Sequence, residues 1–286
     1  MDRVLVIGGA GYIGSNLCFE LKKSYDVFSI DNYSSGSEDN HHDGVNYIKG
    51  HSSEIDKLID FKPKYIFHLG EFSRVEKSFD YPDLVFSSNI TGTLSVIKFA
   101  LKHDSKLIYA GSSTKFGDNG NNINQSPYAW TKATNTELIK NFNSWYGLNY
   151  AIVYFYNVYG KNEIFSGEYA TVMGIFKNKI LKNQILEVVK PGTQKRNFTY
   201  IDDIVSGLIL VGENGEGDGF GIGNPESYSI LDIANFFNAK IKMIPERRGN
   251  RMNSKCDTIK TKKLGWKPKI SVKDYILNKL FLDNNF

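Results

Sequence analysis

The chain has 286 residues, a formal charge of +4, and 41% hydrophobic against 23% charged residues, an ordinary globular mix that allows one large core or a core with a smaller lobe. Its mild basicity gathers in the lysines of residues 255–273 without any recognisable nucleic-acid module, so no nucleic-acid partner is expected. Cys18 and Cys256 lie too far apart for metal-ligand spacing, and no segment is expected to supply the ~20 apolar residues of a bilayer span; we expect reduced thiols, no metal, no membrane and a cytoplasmic location without a signal peptide.

Residues 4–7 form a β-branched apolar run suited to a strand covered on both faces. The run leads into Gly8, Gly11 and Gly14, and then into residues 16–23, where apolar side chains recur at helical spacing. Strand, glycine turn and helix in this order predict a dinucleotide site: Gly8 for the tight turn, Gly11 for close approach of a pyrophosphate, Gly14 for helix–strand packing. The helix N-terminus then offers unpaired N–H groups to the anion. Residues 26–30 read as the second strand and deliver Asp31 seventeen residues after Gly14. A carboxylate at this place accepts bonds from ribose hydroxyls and repels a 2′-phosphate, which predicts NAD rather than NADP.

A polar loop over 32–43 precedes a strand at 45–48, a helix near 55–61 and a core strand at 65–69. A long helix over 84–102, a strand at 106–110, a helix over 127–146 and a strand at 150–154 continue the alternation. This rhythm predicts an α/β fold: a Rossmann-type, doubly wound parallel sheet. Beyond residue 160 the pattern loosens: a helix over 167–183, a strand at 186–189, a polar and aromatic stretch at 192–203, a helix over 203–212, a glycine-rich loop and a helix over 230–237. We therefore expect an NAD-binding domain over 1–160 and a smaller C-terminal α/β substrate lobe over 161–286, some of whose segments return to the first domain.

Chemistry is expected at S-P-Y-A-W-T-K, residues 126–132. Ser126 can cap a helix with Pro127 in its first position, which sets Tyr128 and Lys132 at i and i+4 on one face. A phenol is a poor base at neutral pH, with an ordinary pKa of ~10, but a nearby ammonium favours its anion. Such a pair can take an alcohol proton while hydride leaves the same carbon. At the carboxyl end of strand 106–110, the hydroxyls of G-S-S-T-K-F-G could steady the same oxygen, or could simply begin a loop.

With these residues the chain resembles the extended short-chain dehydrogenase/reductase family, in particular its NAD-dependent nucleotide-sugar epimerases and dehydratases such as the UDP-sugar 4-epimerases. The resemblance rests on G-G-A-G-Y-I-G, Asp31-Asn32, N-x-x-G-T (Asn89, Gly92, Thr93), S-S-T-K-F-G, Y-A-W-T-K, F-Y-N-V-Y-G, Q-K-R-N-F-T-Y-I-D-D, R-R-G-N-R and L-G-W-K-P, in that order along nearly the whole chain. It implies Tyr128 as base, Lys132 as its modulator and ribose ligand, and Ser112 as the third catalytic member. Tyr12, Ile13, Asn32, Ser35, Gly36 and Leu69 complete the expected cofactor cleft. Asn157, Gln194, Arg196 and Arg248 are expected to hold a nucleotide-diphosphate sugar, the arginines as clamps on its phosphates.

The family's dehydratases carry Asp-Glu after the hydroxyl residue, where this chain has Ser113 and Thr114, neither able to protonate a leaving hydroxide. That favours C4 epimerisation through a transient 4-keto sugar. C4 oxidoreduction, dehydration with Glu71 as the nearest candidate acid, and a non-catalytic NAD sensor are the alternatives. Further departures are Ile7 before the first glycine, His51 at a usual aspartate, Asn250 beside Arg248, and charge in L-G-E-F-S-R, where Glu71 and Arg74 contact either substrate or each other. The resemblance also implies a homodimer built on the helices of residues 84–102 and 127–146.

Overall fold

The computed structural model describes residues 1–113, 124–167, 169–246 and 256–279. Six strands come from the first half: β1 (Arg3–Ile7), β2 (Asp26–Asp31), β3 (Val45–Lys49), β4 (Tyr65–His68), β5 (Lys106–Ser112) and β6 (Tyr150–Phe155). Then come the short strands β7 (Val158–Tyr159), β8 (Leu186–Val189), β9 (Lys195–Asn197) and β10 (Thr199–Tyr200), followed by β11 (Gly217–Ile222), β12 (Ser227–Ser229) and β13 (Ile241–Ile244). The main sheet is parallel throughout and runs β11-β6-β5-β4-β1-β2-β3. Its strand order reverses between β1 and β4, which opens a crevice above their carboxyl ends. Both faces are covered, so Val4, Leu5 and Val6 are wholly buried, as the unbroken apolar run requires. One core lies under Leu17, Leu208 and Val211, the other under Val96, Phe99 and Ile139.

The glycine-rich loop expected after residue 212 is instead the seventh strand, β11, paired with β6 through Phe220↔Val153 and Gly221↔Tyr154. A Cβ on Gly221 would lie 1.8 Å from the Asp257 carbonyl oxygen, so the glycine lets the C-terminal segment lie against this edge. Tertiary contact overrides a composition that reads locally as loop. The helix Ile201–Asn214 is likewise longer than its periodicity suggested and packs on the first helix and on β6. Sheet and helix thus draw on both sides of residue 160.

Helix ends moved as well. The first helix, Tyr12–Leu21, starts inside the glycine motif with Gly11 as its cap, four residues before the apolar periodicity begins. The helix expected over 167–183 is Val172–Leu181, started by Thr171, whose Oγ1 accepts from Gly174 N at 2.9 Å. Contrary to expectation, Pro82–Lys102 is long and apolar enough, by length and composition, to cross a bilayer. Its second half is a core helix: Val96, Ile97, Phe99 and Ala100 are fully buried. Residues Phe86–Gly92 form a π-helical segment, and there Asn89 turns inward, accepting from Phe72 N at 2.8 Å and donating to Thr131 Oγ1 at 2.9 Å.

The L-G-W-K-P segment closes the fold from below. Trp266 Nε1 donates to the Asp203 carbonyl at 2.9 Å, and Asp203 Oδ2 accepts from the N–H groups of Lys269 and Ile270 at 2.9 and 3.2 Å. A second tie is the buried pair Lys177–Glu163, in which the ammonium also donates to the Gly160 carbonyl and to Tyr275 Oη, each at 2.9 Å.

Candidate active site

A cavity of about 710 Å³ runs along the carboxyl ends of β1, β2, β4 and β5 to the lobe formed by β8, β9, Ile164 and residues 169–176. At its floor Gly8 adopts φ +86° and donates its N–H to the Ile30 carbonyl at 2.8 Å. A Cβ on Gly14 would lie 2.0 Å from the Gly8 carbonyl oxygen, so the turn closes on the helix only with glycine at that position. Asp31 is 7% exposed: Oδ2 accepts from Ala10 N at 2.9 Å and Oδ1 from Tyr33 N at 2.8 Å. The carboxylate therefore holds the glycine loop in place as well as lining the cavity. A cradle without side chains, a helix N-terminus and a strand-end carboxylate together fit NAD.

Gly8, Gly11, Tyr12, Ile13, Gly14, Asp31, Asn32, Ser35 and Leu69 all lie on this wall. Gly36 stands behind it, its Cα direction closed off by Ala10, whose carbonyl carbon and oxygen would be 2.9 Å from a Cβ there. His51, which caps a short turn through Ser53 N at 3.2 Å, also borders the cavity.

The helix Pro127–Tyr146 starts as its sequence dictates. Ser126 Oγ accepts from Ala129 N at 3.0 Å, and Gly147 ends the helix in the left-handed conformation. Tyr128 and Lys132 face the cavity from its first two turns. Tyr128 Oη donates to Ser112 Oγ at 3.2 Å, and Ser112 itself is buried at the end of β5. Lys132 Nζ donates to the Ala110 carbonyl at 2.7 Å and contacts the Glu71 carboxylate. With two of its three N–H bonds so used, one is left for the cavity it lines.

Glu71 borders the cavity, and it pairs with Lys132 rather than with Arg74, one of the two contacts the sequence alone suggests for it. Its side chain is 1% exposed, turned inward against Lys132. Tyr109 Oη donates to Oε2 at 2.9 Å, Asn135 Nδ2 donates to Oε1 at 2.8 Å, and Thr93 Oγ1 also donates to Oε1. A carboxylate in an almost solvent-free site requires this density of donors. Burial and Glu71 together hold the Tyr109 phenol well above its ordinary pKa. Burial pushes the neighbouring His68 down to about 4. Because Thr93 spends its proton on Glu71, the 2.9 Å contact to His68 Nε2 requires that nitrogen to donate, which assigns a neutral ring with its proton on Nε2. This network absorbs the Asn89/Thr93 motif, and no local sequence signal announces it.

On the opposite wall Asn157 has φ +36° and donates Nδ2 to the Asn197 carbonyl at 2.8 Å. Gln194 is 3% exposed and donates Nε2 to the Val189 carbonyl at 3.2 Å, while its buried Oε1 has no hydrogen-bond partner. Arg196, on β9, borders the same space. Arg248, Asn250, Thr114 and Gly117 lie outside the described residues.

The model of the NAD dependent epimerase/dehydratase family matches residues 4–223. A putative UDP-glucose 4-epimerase of Methanocaldococcus jannaschii is 31% identical over 96% of this chain and 95% of its own length. UDP-glucuronic acid decarboxylase 6 of Arabidopsis thaliana is 28% identical over 95% of this chain and 86% of its own. Among solved structures, UDP-N-acetylglucosamine 4-epimerase from Methanobrevibacter ruminantium, in complex with UDP-N-acetylmuramic acid, superposes with a TM-score of 0.89 at 26% identity, covering 98% of this chain and 97% of that one.

Proposed function

The chain belongs to the NAD-dependent epimerase/dehydratase family, and from that premise we propose that it interconverts the C4 epimers of a nucleotide-diphosphate sugar. The observation that carries this reading is the Tyr128–Ser112 contact at 3.2 Å on a wall continuous with the glycine turn. The turn of Gly8 to Gly14 and Asp31 would hold NAD, which when bound would supply the reversible hydride acceptor the reaction needs. Tyr128 takes the proton of the C4 hydroxyl and later gives it back. Ser112 holds the sugar oxygen in line with the phenol. Lys132, fixed by Ala110 and Glu71, directs its remaining N–H into the cavity. Asn157, Gln194 and Arg196 would hold the nucleotide end, leaving the sugar free to turn between the two transfers.

Dehydration needs an acid at the leaving group, and Glu71, the nearest candidate, is instead locked on Lys132. Incubation with UDP-glucose or UDP-galactose, followed by proton NMR, should yield both epimers with no net NADH absorbance. Stoichiometric NADH with a lasting keto-sugar would reject epimerisation in favour of oxidation. For quaternary structure, the reading is a homodimer in which the exposed Leu84, Phe86 and Trp130 of the two long helices meet their copies. Light scattering should return twice the 32.4 kDa chain mass; a monomer at micromolar concentration would reject it.

A further inference from the structure

Arg74 follows β4 on the cavity wall and is not used by the mechanism above. Its guanidinium lies over the Tyr169 ring, with Cζ 5.8 Å from the centroid. Its Nε is buried and makes no hydrogen bond, and among the described residues no carboxylate pairs with it. Glu71, three residues earlier, is spent on Lys132, Tyr109, Thr93 and Asn135. Burial pulls the Arg74 guanidinium below its ordinary pKa, opposed by the phenols of Tyr128 and Tyr169.

A guanidinium whose Nε is buried and unbonded, with no counter-ion among the described residues, is costly, and it is a fork of donors shaped for a planar anion. Two anions belong to a nucleotide sugar that also carries an acid: the diphosphate and the sugar carboxylate. The diphosphate has its own expected partners in Arg196 and Gln194, on β9 and the segment before it, across the cavity. Arg74, stacked over Tyr169, instead lines the cavity together with Tyr128, the group that marks the reacting carbon. A carboxylate on C5 stands one carbon from C4, within reach of a side chain beside that phenol. A neutral hydroxymethyl group at the same place would leave the guanidinium without its charge partner.

We propose that Arg74 is the receptor for a sugar carboxylate, so that the preferred substrate is a nucleotide-linked uronic acid. The proposal rests on the epimerase reading for its substrate frame, and its test separates the two. Turnover of UDP-glucuronate and UDP-glucose is compared for the wild type and for Arg74→Met and Arg74→Lys, and binding of both sugars and of UDP is measured by calorimetry. The wild type should prefer UDP-glucuronate in kcat/KM, and Arg74→Met should lower that preference by about 100-fold, mainly through KM, with Arg74→Lys in between. UDP alone should lose much less affinity than UDP-glucuronate.

An equal loss for both sugars and for UDP would place Arg74 on the diphosphate and overturn the proposal. A wild type indifferent to the carboxylate would do the same while leaving the epimerase reading standing. Conversely, a carboxylate preference in binding that Arg74→Met abolishes, without any change at C4, would uphold the receptor and reject the epimerase.

Discussion

Replacing Tyr128 by phenylalanine is expected to lower kcat by at least the ~10²–10⁴ typical of losing a general acid–base group, with KM little changed. The fold should survive, because the ring sits in the first turn of a helix set by the Ser126 cap and Pro127, which the substitution does not touch. What disappears is the hydroxyl that donates to Ser112 at 3.2 Å. Affinity for NADH, followed by the fluorescence of its dihydronicotinamide ring on binding, should therefore survive, and unfolding should occur at a similar urea concentration. Steady-state turnover of the substrate identified by NMR is the measurement. Activity within tenfold of wild type would remove Tyr128 from the proton transfer and leave a nucleotide-binding fold without an assigned base.

Glu71→Ala is expected to cost about 3–5 kcal/mol of unfolding free energy, the range for breaking one side of a buried ion pair. Three donors besides Lys132 converge on this carboxylate, and alanine leaves all of them, together with an ammonium that is 8% exposed, in a site with little water. Urea denaturation of the two proteins measures the loss. Adding Lys132→Met to Glu71→Ala should recover part of it, because the uncompensated charge is then gone, and with Lys132→Met also measured alone, the loss of the double variant minus the two single losses is the coupling of the pair. A loss below about 1 kcal/mol, the size seen for exposed pairs, would mean that water reaches the site and that Glu71 is no anchor for Lys132.

Two further features follow from the same buried network. The neutral His68 and the protonated Tyr109 share one solvent-poor pocket with the Lys132–Glu71 pair, so charge is present there only as a matched couple. The neighbouring Arg74 breaks that rule, which is why it points to a ligand rather than to packing.

Much of the site was legible because its geometry is local. Strand, glycine turn and helix follow one another within residues 3–21, and backbone sterics alone require glycine where a Cβ would meet the Gly8 carbonyl. Tyr128 and Lys132 share a face because an α-helix repeats every 3.6 residues, and Ser126, Pro127 and Gly147 mark its ends. Asp31 stands where it does because a strand of fixed rise delivers it to the crevice edge. Local pattern also misled at 217–222, where glycines that look like a loop form the sheet's edge strand against the C-terminal segment.

By itself, then, the sequence determined the parallel α/β architecture, the cofactor turn and the tyrosine–lysine pair, since each depends on spacing along one or two neighbouring elements. Only the tertiary structure decided which charges are matched: that Glu71 turns inward to Lys132, that His68 stays neutral, and that Arg74 lines the cavity with no carboxylate paired to it among the described residues. The physical reason is that the energy of a buried charge depends on what surrounds it in space, and those surroundings come from β4, β5 and two helices distant in the chain.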